Sequence, residues 1–76
     1  QSFMRKRVLA PGRGSCSFQA LALKFLAEGE VLIGVERRRV DGEVVVDLAG
    51  GDGNGGRVDL ATLVAVWVLT ADPAGT

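Results

Sequence analysis

The stretch "ERRRVDGEVVVDL", Glu36 to Leu48, sets three consecutive arginines against Asp41-Gly42 and a run of valines. Asp-Gly between two β-branched runs is a strong local hairpin signal, because both central residues of a type I′ turn need positive φ. A two-residue turn fixes the register. Val40 then faces Glu43, Arg39 faces Val44, Arg37 faces Val46, Val35 faces Leu48, and Glu36 faces Asp47. That register predicts one core face made of Val31, Ile33, Val35, Val44, Val46 and Leu48. Arg37 and Arg39 share that face near the turn, where their stems cover apolar edge and their guanidinium groups reach water. Arg38 points the other way, so the arginines are not one contiguous patch.

Upstream, "APGRGSCSFQ" is a loop by its Pro and Gly content, and Ser15 or Ser17 can accept the free amide hydrogens of a helix starting near Phe18. Phe18, Leu21, Ala22 and Phe25 fall at i, i+3, i+4 and i+7, one apolar stripe that leaves Gln19, Lys24 and Glu28 for solvent. Gly29 is placed to end that helix in the left-handed conformation. Downstream, "AGGDGNGGR" reads as a surface loop. Asp59 can cap a second helix over "LATLVAVWVL", although Val64, Val66 and Val68 also alternate as a strand would. The expected division is a basic segment and loop over 1–14, an αβ domain over 15–70, and a flexible tail over 71–76.

Seventy-six residues make one domain with a hydrophobic fraction of 47%. A chain this short buries only about 60% of the surface it exposes when unfolded, so its stability is marginal without outside help. Nine basic and nine acidic residues cancel, and no global field draws the protein to nucleic acid or anionic membrane. The single cysteine, Cys16, cannot form an internal disulfide, which fits a reducing compartment; cytoplasm is the expected location, with the nucleus also open. No apolar run has the length of a membrane span. The sequence opens on Gln1 and reads as an excised fragment.

The constellations that could carry chemistry are weak. "GDGNGG", Gly51 to Gly56, has the letters of a dinucleotide fingerprint but lacks the parallel strand and acidic residue that should follow. A calcium loop on Asp52 and Asn54 would place Arg57 and Leu63 at positions that cannot serve. Without histidine, neither a Cys-His pair nor a Ser-His-Asp triad can be assembled within the chain, and one cysteine cannot build a zinc site. No catalytic, metal or cofactor residue is assigned, and an enzyme is the disfavoured class. The candidate partner contacts are Glu36, Arg37, Arg38, Arg39 and Asp47.

Read as one string, residues 14 to 64 resemble the later part of the nuclease-like (SN-like, OB-fold) half of an extended Tudor domain. The matching positions are Ser17, Ala20, Phe25, Gly29, Val31 to Val35, Val44 to Leu48, the glycine loop, and Val58 to Val64. Cys16 stands where that family usually has tryptophan, and Trp67 and Val68 replace its small-residue ending. The resemblance implies an α+β fold, a partial OB-like small sheet with a central hairpin and two helices. It also implies a non-enzymatic scaffold for methylarginine-bearing, PIWI-type partners in small-RNA silencing, located in ribonucleoprotein granules. The family's aromatic cage lies in a tyrosine-rich Tudor core, and this chain has no tyrosine, so no cage residue carries over. Two other readings stand beside it. One is a small OB-like nucleic-acid binder using Arg5, Lys6, Arg7, Arg13 and Arg37 to Arg39; the other is a homodimerising assembly domain whose open strand pairs with a second chain.

Overall fold

The computed structural model describes residues 2–48 and 56–71. Along the chain these form β1 (Ser2–Val8), β2 (Ser15–Ser17), α1 (Phe18–Leu26), β3 (Glu30–Arg38), β4 (Val44–Leu48), β5 (Arg57–Asp59) and β6 (Leu63–Ala71). An antiparallel sheet with the order β1-β6-β3-β4 is accompanied by a two-stranded ribbon, β2-β5. The α+β class is as the sequence implies. The OB-like arrangement with two helices is not: among the described residues there is one helix, and the sheet is open rather than closed into a barrel.

The helix forms as its sequence dictates. The Ser17 hydroxyl accepts the Ala20 amide hydrogen at 3.0 Å, satisfying one of the donors that the first turn leaves unpaired. Leu21 and Phe25 are buried on the sheet, with Phe18 and Ala22 packed around them. Gly29, at φ +81°, donates to the Leu26 carbonyl and turns the chain into β3.

The second helix expected after Asp59 is replaced by a tight turn and a strand. Asp59 does cap, but locally: its side chain accepts from the Ala61 amide at 3.0 Å, and its carbonyl accepts from the Thr62 amide and hydroxyl. The turn delivers Leu63 to β6, where alternation decides the outcome. Val66 and Val68 are fully buried against α1, while Trp67 and Leu69 face the other side. β6 is thereby an inner strand, paired with β1 on one side and β3 on the other. The opening basic residues belong to β1, in register from Ser2 opposite Ala71 to Val8 opposite Ala65.

The hairpin register differs from expectation by one residue. Arg39 N–H donates to the Glu43 carbonyl at 2.7 Å, and Gly42 N–H to the Arg39 carbonyl at 2.9 Å. Gly42 has φ +90° and Asp41 does not have positive φ, so the loop is a three-residue turn ending in a glycine bulge, not a type I′ turn. Arg38 therefore faces Val44, Glu36 faces Val46, Val35 faces Asp47, and Gly34 faces Leu48. Slipping by one reverses the face of every β4 side chain. Val44, Val46 and Leu48 are exposed instead of core.

A bulge in β3 adds a second phase change. Between Leu32 opposite Val68 and Gly34 opposite Trp67, Ile33 is an extra residue, so Leu32 and Val35 both turn toward α1. The core is therefore Leu21, Phe25, Leu32, Val35, Val58, Leu63, Val66 and Val68, with Val31 on the outer face. Gly34 packs tightly against β4: a Cβ there would lie 2.9 Å from the Asp47 carbonyl oxygen. One sheet face is thus covered by α1; among the described residues the other, carrying Met4, Val31, Val46 and Trp67, is left uncovered.

Candidate functional site

The five residues proposed as partner contacts separate in space. Glu36 lies on the uncovered face, where Trp67 Nε1 donates to its carboxylate at 2.6 Å and Lys6 Nζ approaches to 3.8 Å. Lys6 also stands over the Trp67 ring, 5.9 Å from its centroid. The chain's only tryptophan is thereby already engaged within the fold. Glu36 does not face Asp47, because the register shift moved them to opposite faces of the sheet. Asp47 instead accepts from Arg37 Nε.

Arg37, Arg38 and Arg39 do come together, at the turn end of the hairpin, with a residue that sequence reading had not grouped with them. An open cleft of about 630 Å³ is lined by these three side chains and by Arg57, with Asp41 and Asp59 in its wall. Arg57 is brought there by β5, which pairs with β2 in the register Ser17 opposite Arg57. Its Nη2 donates to the Ser15 hydroxyl at 2.8 Å, which aims the guanidinium but leaves its charge uncompensated by that partner. Arg38 Nη1 donates to the Gly42 carbonyl at 3.4 Å, and Arg39 Nη2 lies 3.8 Å from Asp41 Oδ2.

The two carboxylates of the wall are turned toward backbone. Asp41 accepts from the Glu43 amide at 3.0 Å and Asp59 from the Ala61 amide, so each is committed to shaping a turn. Arg37 is paired with Asp47, and Arg38, Arg39 and Arg57 set against the two wall carboxylates leave the lining positive, although the chain as a whole has no net charge. Guanidinium groups offer planar forks of N–H donors that match carboxylate oxygens two at a time. The cleft can hold an anion.

The other basic residues are differently placed. Arg7 donates to Glu30 and, at 3.2 Å, to Glu28, and lies 5.3 Å from the centre of the Phe25 ring. The hydrogen bonds it donates to Glu28 first, and to Glu30 second, raise its pKa above the ordinary arginine value. Arg5 stands 4.0 Å from Glu30. These contacts join β1 to the helix side of the sheet.

Cys16 is free, half-buried on β2 and packed against the core. The glycine loop considered for dinucleotide or calcium lies outside the described residues except for Gly56, whose carbonyl accepts the Phe18 amide hydrogen. Among the described residues, no three of His, Cys, Asp and Glu gather as metal ligands, and no helix is long and apolar enough to cross a membrane.

Fold and site together define a small α+β domain with an open antiparallel sheet and a cationic cleft at the end of its hairpin. Comparison with family models, with curated proteins and with solved structures gave no match.

Proposed function

We propose that this domain is a non-enzymatic binding module whose arginine-lined cleft takes an acidic segment of a protein partner. The observation that carries the reading is the convergence of Arg37, Arg38, Arg39 and Arg57 on one cleft, in a chain of zero net charge. Local field and geometry favour carboxylate side chains, which pair with guanidinium forks. A methylarginine side chain is itself a cation and does not suit this lining, so a partner bearing one would be held elsewhere.

An acidic peptide is favoured over RNA because single-stranded bases need aromatic faces to stack on. Phe25 is buried, Phe18 is packed into the core, and Trp67 lies on another face. None reaches the cleft lining. The test is fluorescence anisotropy of a labelled peptide rich in Asp and Glu, measured at low and high salt. Binding that weakens with salt and is lost in Arg39→Glu and Arg57→Glu supports the reading. No binding at low salt, or equal binding by both variants, sinks it.

A further inference from the structure

The two edges of the main sheet differ in chemistry. β1 presents Arg5, Lys6 and Arg7 in succession, the kind of composition by which sheet edges avoid pairing. Two copies meeting there would set like charges across from one another. β4 reads Val44-Val45-Val46-Asp47-Leu48, with no cation and no proline. Its single carboxylate is neutralised from within by Arg37. Among the described residues β3 is its only strand partner.

The hydrogen-bond phase of the hairpin shows which groups β4 leaves outward. Arg39 and Glu43 are joined by a backbone hydrogen bond, and in an antiparallel pair bonded and non-bonded residue pairs alternate. Arg37 with Val45 and Val35 with Asp47 are therefore bonded pairs. It follows that the amides and carbonyls of Val44, Val46 and Leu48 point away from β3. These residues are 42%, 51% and 63% exposed. Backbone and side chains of the same three residues are thus both available.

We infer that β4 is a self-pairing edge, through which two copies of this chain join antiparallel about a two-fold axis at Val46. In that register Val46 exchanges both backbone hydrogen bonds with Val46 of the second copy. Val44 lies opposite Leu48, Val45 lies opposite Asp47, and no charge faces its like. The arrangement is isologous and closes at two copies. A β4-to-β1 contact would be heterologous and would continue into longer assemblies. The inference uses a different surface from the arginine cleft and does not depend on it.

The experiment is sedimentation equilibrium of the full chain across a concentration series, with Val46→Lys and Met4→Lys variants. The mass should rise from one chain to two in the wild type. Val46→Lys should hold it at one chain, because two lysines would meet on the axis. Met4 is exposed on the uncovered face of β1, remote from β4, so Met4→Lys should dimerise as the wild type does. Loss of the dimer in Met4→Lys would mean that the apolar faces stack, and would overturn edge pairing. A wild type that stays at one chain, or that grows beyond two without limit, would also overturn it. Should Val46→Lys lose its amide dispersion, Val46→Pro gives the same decision, because it removes an amide hydrogen that points away from β3 and so spares the hairpin.

Discussion

Replacing Arg7 by alanine should remove the cation that makes a buried acid tolerable. The Glu30 side chain is 8% exposed and its carboxylate is held by Arg7, with Thr70 Oγ1 donating at 3.3 Å and Arg5 more distant at 4.0 Å. Stripping one partner from a buried ion pair costs about 3–5 kcal/mol, because the remaining charge stays desolvated. Arg7 keeps 31% of its side chain in water and Arg5 can move closer, so the lower end applies. The lost contact with the Phe25 ring adds about 0.5 kcal/mol. The sum, about 3.5 kcal/mol, is a large share of the total stability of about 4–11 kcal/mol expected for a chain of this length. With a urea slope of about 1 kcal/mol/M for so small a domain, the unfolding midpoint should fall by about 3.5 M. Glu30→Gln removes the stranded charge, and in the Arg7→Ala background it should restore at least half of the loss. An Arg7→Ala cost below about 1 kcal/mol, or effects of the two substitutions that simply add, would refute the reasoning.

Three further outcomes follow from the same structure. Gly42→Ala should cost about 1 kcal/mol, because the residue sits at φ +90° and closes the hairpin; an unchanged melting temperature would mean a different turn. Gly34→Ala should cost about 1–3 kcal/mol, since the new Cβ would meet the Asp47 carbonyl oxygen at 2.9 Å; near-neutral behaviour in urea would show that β4 does not approach β3 there. The stabilisation from Arg7 should be independent of pH from neutral to mildly alkaline conditions. Its raised pKa means the contribution is present below the unfolded arginine pKa and lost only as pH climbs through the folded value in strong alkali. Urea midpoints of wild type and Arg7→Ala that converge already at mildly alkaline pH would contradict this.

The helix was legible because its signals are local and agree: a serine cap, an apolar stripe and a terminal glycine each act within a few residues. The position of the hairpin was equally legible from Asp41-Gly42, but its turn type was not. A type I′ turn and a three-residue turn with a glycine bulge accept the same two letters, and they differ by one residue of register. That single residue moved Val44, Val46 and Leu48 from core to surface and parted Glu36 from Asp47. The bulge at Ile33 was invisible for a related reason: "VLIGV" alternates acceptably in either phase, and the choice is made by where β6 offers Val66 and Val68.

β6 itself was misread at its start. Asp59 carries a genuine capping signal, and only tertiary pairing with β1 and β3 turns the following apolar run into a strand. β-branched residues at alternate positions were the signal that could have decided it. The candidate site was half readable. Arg37, Arg38 and Arg39 are adjacent in sequence, whereas Arg57 reaches them only because a ribbon of two three-residue strands, too short for any periodicity to show, places it there.

The most direct test of the account is an amide-resolved NMR titration of this chain with a short Asp- and Glu-rich peptide, beside a lysine-rich peptide of equal length as control. Shifts should group on residues 37 to 41 and 57 to 62 with the acidic peptide and be absent with the control, while Met4, Val31 and Trp67 stay fixed. Shifts centred on the uncovered sheet face, or no response to the acidic peptide at low salt, would contradict the assignment of the arginine cleft as the binding site.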